Sequence, residues 1–198
     1  GGLYRFHHDR IQEAADSLLS PAERELIHYV IGALDLGRTA DDQLFNRIFY
    51  IVDQLNQGRG LITDPAERTR LADLNLKAGI KAKDSTAYAV AVSYLGTGLE
   101  LLDEGAWERD YDLAYALHLE QMECQYLNRD FEEAERLFKI IIAHAGNRID
   151  KARAYRTMLV LYTVSRPPKE AIELGLKGLA MFGIKIPIGV GKGPVAWE

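Results

Sequence analysis

Helix-starting signals punctuate this chain at short intervals, and the apolar residues between them recur with helical spacing. No other feature limits the fold as tightly. Ser20-Pro21-Ala22-Glu23 combines a capping hydroxyl, a proline whose missing N–H costs nothing at the first helical position, and a glutamate placed to reach back. Asp64-Pro65-Ala66-Glu67 repeats the device, and Asp130 with Glu133 repeats it again. Between such signals, Ile11, Ala14, Ala15, Leu18 and Leu19 fall on one helical face. So do Leu44, Ile48, Ile51 and Leu55, and so do Phe131, Ala134, Phe138, Ile141 and Ala145.

These signals predict an all-α chain with two-thirds or more of its residues in helix. One helix runs from Pro21 to about Leu36 and stops at Gly37. Thr39 to Asp42 caps the next, which Gly58 and Gly60 end. Asp64 opens a helix to about Lys81, and Asp84 or Ser85 opens one to about Leu102. Asp103 to Trp107 reads as a loop, and Asp110 or Asp112 starts a helix to Leu127. After the corner Asn128-Arg129-Asp130, Gly146-Asn147 ends the helix that follows. Ile149 to Val164 is helical, Arg166-Pro167-Pro168 is a second corner, and Lys169 to Phe182 is the last helix. Residues 183–198 read as extended or without order. Leu3-Tyr-Arg-Phe6 is the one strand candidate, and it is too short to stand alone.

Short helices joined by tight corners invite a search for internal repeats. Tyr88-x-x-Ala91-x-x-Tyr94, Phe131-x-x-Ala134-x-x-Leu137 and Pro168-x-x-Ala171-x-x-Leu174 align, at spacings of 43 and 37 residues. A bulky opening residue, a small alanine and a following apolar residue match the second helix of a tetratricopeptide repeat. Gly79 fits the close-approach position of the first helix. The expectation is antiparallel helix pairs stacked as a degenerate tetratricopeptide-like solenoid, with a longer loop near Trp107. An irregular helical bundle is the alternative.

Charge and composition narrow the function classes. The 198 residues carry a net charge of −5 with both signs interspersed, so nucleic acid is not an expected partner. Cys124 is the single cysteine and no Asn-x-Ser/Thr sequon occurs, which fits a reducing cytoplasm. The longest apolar run, Met158 to Val164, is too short to span a bilayer, so no membrane is expected. The first residues carry no signal-peptide pattern and no initiator methionine, and read as a piece of a longer protein.

Chemistry-bearing clusters are few. His7 and His8 are adjacent, and on a strand they point to opposite faces, so they cannot easily share a metal. His8 and Asp9 read as a cap for the helix beginning near Arg10. Glu25-x-x-His28 has the spacing of a di-iron bundle half-site, but His118 and His144 have Tyr115 and Ile141 at the matching position. His118-Leu-Glu120 lacks the cysteine pair of a zinc deaminase. Gly189-Val-Gly-Lys-Gly-Pro194 lacks the residue order of a phosphate loop. Cys124 lies between Met122 and Tyr126 in a helix, as a buried, inert thiol does. No catalytic residue, cofactor or metal is therefore expected. Tyrosines concentrate in the second half of the chain. Tyr88, Tyr94, Tyr126, Tyr155 and Tyr162 either pack between helices or line a protein-binding groove. The last helix carries Ile172, Leu176, Leu179 and Phe182, more apolar surface than a terminal helix can expose. A weak homodimer through that surface is expected.

Several segments resemble a known protein class. Leu3-Tyr-Arg-Phe-His-His-Asp-Arg-Ile-Gln-Glu-Ala-Ala15 resembles the end of the winged-helix segment in signal-transduction ATPases of the STAND class. Leu26-Ile-His28 and Ile31-Gly32 look like the helix that follows it. Asp53-Gln-Leu-Asn-Gln-Gly58, Leu61-Ile-Thr-Asp64, Leu74-Asn-Leu-Lys-Ala-Gly79 and Lys81-Ala-Lys-Asp-Ser-Thr-Ala-Tyr88 are similar to the linker and helical-repeat region of very large bacterial sensor proteins. Those proteins join a serine/threonine-kinase-like domain, a predicted ATPase, a helical repeat region, a GAF domain and a histidine kinase. Asp16 and Asp84 depart from the pattern. The resemblance implies residues 1–37 as the end of a winged-helix-like segment, 38–64 as a linking helix and loop, 65–183 as tetratricopeptide-like repeats and 184–198 as a flexible tail. It implies a non-catalytic scaffold for protein interaction or interdomain coupling in a sensor kinase of the two-component type. Its partners would be neighbouring domains or other signalling proteins. The alternative it implies is that His8 contacts nucleotide phosphate in an ATPase site completed by a domain not present in these residues.

Overall fold

The computed structural model describes residues 19–186. Leu3-Tyr-Arg-Phe6, the His7-His8-Asp9 cluster, the stripe from Ile11 to Leu18 and the tail beyond Ile186 lie outside them. The described chain is α1 Pro21–Arg38, α2 Asp41–Gln57, a 3-10 turn Arg59–Leu61, α3 Pro65–Asp84, α4 Tyr88–Leu101, α5 Ala106–Arg109, α6 Tyr111–Leu127, α7 Phe131–His144, α8 Arg148–Ser165 and α9 Pro168–Ala180. Helix takes 82% of the described residues and no strand occurs among them. The all-α expectation holds.

The cap chemistry is where the sequence placed it. The Ser20 hydroxyl accepts the Glu23 N–H at 3.3 Å and Glu23 Oε2 accepts the Ser20 N–H at 2.9 Å. Asp64 accepts from the Glu67 N–H at 2.9 Å and Asp130 from the Glu133 N–H at 3.1 Å. The Asp130 box is only half made, because both Glu133 oxygens take the Arg136 guanidinium at 2.6 Å instead of reaching back. Asn147 caps α8 by accepting the Asp150 N–H at 2.8 Å.

Five boundaries differ from the sequence expectation. Gly37 does not stop α1, which continues to Arg38. Thr39 then closes that helix, its hydroxyl donating to Asp35 O at 2.6 Å, so α2 starts from Ala40 without a side-chain cap. Neither Asp84 nor Ser85 opens α4. Ser85 ends α3, donating to Lys81 O at 3.1 Å, and α4 begins at Tyr88. The expected loop before α6 contains the short helix α5, which carries Trp107. The last helix starts at Pro168 and ends at Ala180, short of Phe182, and Gly183 follows in the left-handed region at φ 78°.

Two of the corners are the same structure. Among the described residues, Thr86 and Arg129, 43 residues apart, are the non-glycine residues at positive φ, 59° and 70°. The residue after each, Ala87 and Asp130, donates its N–H to the carbonyl five positions back, Ala82 and Gln125, at 2.9 Å. The third corner is different for a covalent reason. Arg166 precedes Pro167, which forces it extended at φ −120°, ψ 159°.

Consecutive helices pair: α1 with α2, α3 with α4, α6 with α7, and α8 with α9. The loops within pairs are short, so partners run antiparallel. Between pairs, α2 packs on α3, α4 on α6 and α7 on α8, while α3 also touches α6 and α6 touches α8. The repeat-aligned alanines all sit inside pairs: Ala91 and Ala134 are fully buried and Ala171 nearly so. One core gathers Ile48, Ile51, Leu55, Leu71, Leu74 and Leu95 among others. A second gathers Tyr115, Met122, Tyr126, Leu137, Ile141 and Met158. Among the described residues no helix is long and apolar enough to cross a membrane.

Candidate functional site

Of the segments that carry the resemblance, those from Asp53 to Tyr88 fall at one junction of α2, α3 and α4. Asn75 sits in the middle of α3 between Leu74 and Leu76 and has no exposed surface. Its amide exchanges two hydrogen bonds with Asn56 of α2. The Asn56 amide donates to Asn75 Oδ1 at 2.8 Å, and Asn75 donates to Asn56 Oδ1 at 2.9 Å and to Leu71 O at 2.9 Å. A buried amide pair of this kind is stable only in one register, since sliding either helix strands polar atoms in an apolar core. One turn away, the Tyr94 hydroxyl of α4 donates to Asp53 of α2 at 2.6 Å. Burial and this bond hold the Tyr94 phenol above its usual pKa. The ring stacks on Phe49 at 5.6 Å.

Glycines let the same helices approach closely. A Cβ at Gly58 would meet the Tyr29 backbone nitrogen at 2.7 Å, and one at Gly79 would meet Leu95 Cγ at 2.5 Å. Gly98 is similarly closed by Leu117, at 2.7 Å. The Lys81 ammonium donates to Phe45 O at 2.6 Å and lies over the Phe45 and Phe49 rings at 4.6 and 4.9 Å. Lys83 reaches the next pair, binding Glu120 at 2.6 Å and Glu123 at 2.9 Å on α6. Partial burial opposes its charge, but the two carboxylates outweigh that and hold its pKa above the lysine norm.

The second half of the molecule is bonded through tyrosine hydroxyls. Tyr111 donates to Asp150 Oδ2 at 2.7 Å and Tyr115 to Asp150 O at 2.8 Å, tying α6 to α8. Burial, with the Asp150 charge, pushes the Tyr115 phenol to about 12. Tyr162 donates to Glu135 at 2.9 Å, and burial and that carboxylate raise its phenol to about 12. Tyr126 is buried and shares a hydrogen bond with Ser165, and its ring meets Phe131 edge-on at 4.7 Å. Tyr155 packs edge-on against Phe138 at 5.0 Å. Of the five tyrosines named from sequence, Tyr94 and Tyr126 are thus buried between helices. Tyr88, Tyr155 and Tyr162 are half-buried.

The other sequence candidates separate in space. His28 Nδ1 lies 2.7 Å from Gln54 Oε1, a bond between α1 and α2. His118 and His144 instead share Trp107, whose ring centre is 4.8 Å from one imidazole and 4.9 Å from the other. Each histidine places Nδ1 on the carbonyl four residues before it, Ala114 O at 2.7 Å and Ile140 O at 2.9 Å. Burial, with His144 and Arg136 nearby, lowers the His118 pKa. Sequence reasoning missed this cluster because its members are remote in the chain. Cys124 is fully buried and burial pushes its thiol to about 12. Ile172, Leu179 and Phe182 are exposed at 59%, 36% and 43%, and Leu176 is half-buried beside them. Among the described residues no three His, Cys, Asp or Glu side chains converge to hold a metal. His8 lies outside the described residues.

This arrangement joins helices to one another. Its polar atoms are turned toward one another across helix boundaries, so they fix the angle and register of α1–α2 against α3–α4, and of α3 against α6.

Comparison with known proteins gives one relative of note. The chain is 28% identical over 209 aligned residues to "Hybrid signal transduction histidine kinase G" of Dictyostelium discoideum. The alignment covers 93% of this chain and 6% of that protein, so the chain spans a small fraction of the relative's length. No family model matches, and no solved structure matches.

Proposed function

We propose that this segment is a non-catalytic, tetratricopeptide-like helical array that couples neighbouring domains in a large signal-transduction protein. The observation that carries the reading is the junction of α2, α3 and α4, where Asp53, Asn56, Asn75, Gly58, Gly79 and Lys81 lock one helix pair onto the next. The match along 93% of the chain to a segment of a signal-transduction histidine kinase supports the setting. The relative's source does not confine that setting to bacteria. The matching left-handed corners at Thr86 and Arg129 and the buried alanines Ala91, Ala134 and Ala171 support a repeat array over 65–183. In this reading 38–64 links the array to what precedes it, and the chain works in the cytoplasm. Its partners are its own neighbouring domains or other signalling proteins.

The experiment is made in the longer protein. Residues 65–183 are replaced by a Gly/Ser linker of similar reach, and autophosphorylation is measured with and without the activating signal. Loss of the signal response with basal kinase activity retained supports coupling. An unchanged response overturns it. The alternative reading, in which His8 helps to bind nucleotide phosphate, is separated by calorimetry. ATP binding by this chain, removed by His8→Ala, favours that alternative.

A further inference from the structure

The outward face of α8 interleaves exposed aliphatic side chains with arginines. Ile149, Arg153, Arg156, Val160 and Val164 follow at spacings of four, three, four and four residues, which places them in one line along the helix. The line is about 22 Å long. Its aliphatic members are exposed at 72%, 58% and 80%, in that order. Arg153 and Arg156 are exposed too, and neither forms an ion pair among the described residues. The one acid of α8, Asp150, is turned inward to Tyr111 and Asn147. A chain of net charge −5 thus leaves two unpaired cations and three bare aliphatic side chains on one stripe.

We propose that this stripe docks an acidic amphipathic helix of a partner protein. The partner would set apolar side chains against Ile149, Val160 and Val164, and carboxylates against Arg153 and Arg156. The arginines lie within the apolar line, between Ile149 and Val160, not along its borders. That order suits a helix that can offer a carboxylate at each arginine. It suits a lipid surface poorly, because a surface helix keeps its cations on the polar side and sinks a continuous apolar face. The proposal rests on the interaction-module reading and names a face for it.

The test uses this chain and a fluorescein-labelled synthetic peptide of about 18 residues, with leucines on one helical face and glutamates beside them. A scrambled peptide of the same composition and vesicles of phosphatidylserine and phosphatidylcholine serve as controls. The ordered peptide is expected to bind roughly 10-fold tighter than the scrambled one. Arg153→Glu with Arg156→Glu should abolish that preference, as should Val160→Asp, with the circular dichroism spectrum unchanged. Equal affinity for both peptides, binding that survives the arginine exchange, or vesicle binding in place of peptide binding overturns the docking face. None of these outcomes touches the linker-replacement test, so coupling stands or falls separately.

Discussion

Around α2, α3 and α4 the helices meet through glycine and asparagine, with one stacked pair, Phe49 on Tyr94, whereas around α6, α7, α8 and α9 ring contacts dominate. In the first region Gly58, Gly79 and Gly98 bring backbones and leucines so close that a methyl group has no room. In the second, the contacts are Tyr126 on Phe131, Phe138 on Tyr155, and hydroxyls reaching Asp150, Glu135 and Ser165. Close backbone contact fixes one geometry. Ring contacts hold over a range of offsets and angles, so they tolerate adjustment. The first region therefore sets the register of the molecule, and the second can adapt.

The hardest test of that contrast is Gly58→Ala. Its new methyl would sit 2.6 Å from Tyr29 Cβ and 2.7 Å from the Tyr29 backbone, so α1 must move. A loss of about 3 kcal/mol in urea unfolding is expected. A loss below half of that would show that α1 is not fixed there. Next in size is Asn75→Ala, which leaves the Asn56 amide facing an apolar core and should cost about 2 kcal/mol. In a double-mutant cycle with Asn56→Ala, a coupling near zero would break the claim that the two amides act as a unit.

The second region should answer a glycine exchange with the opposite sign. A methyl at Gly175 in α9 meets Leu159 at an ordinary 3.7 Å. Gly175→Ala should therefore gain up to about 1 kcal/mol from helix propensity. A loss would mean that α9 is fitted as closely as α3 and would erase the distinction. Acid should also act on the ring-packed side. Burial keeps His118 neutral and its pKa below the usual 6.5, so its contribution is complete at neutral pH and fades as pH falls through 6.5. The unfolding midpoint should drop between pH 7 and pH 5, and His118→Gln should flatten that drop. The smallest effect on folding is expected of Leu179→Glu. It should leave stability nearly unchanged and shift the sedimenting species from weak dimer to monomer. A wild-type chain that stays monomeric at high concentration would remove α9 as a contact face.

Local chemistry was readable from the sequence because it is local. Ser20, Asp64 and Asp130 cap their helices with donors three residues away, and no distant part of the chain alters that. Gly37 and Ser85 misled for the opposite reason. A glycine ends a helix only where something better than the next helical turn competes for its backbone, and Thr39 supplied that competition two residues later. The polar junction was half legible. Asn75 lies within a segment that carries the resemblance, but its partner lies 19 residues away on another helix. The pairing of Trp107 with His118 and His144 left no periodic trace, since ring contacts impose no spacing along the chain.

The shared corner at Thr86 and Arg129 bears on inheritance. A left-handed non-glycine residue costs roughly 1 kcal/mol wherever it stands. Two such costs stand at corresponding places, 43 residues apart, as they would in copies of one hairpin. A segment that arose by copying can be lengthened by copying. The number of hairpins between the two ends would then be free to drift among descendants of this chain, and with it the distance across which the ends are held.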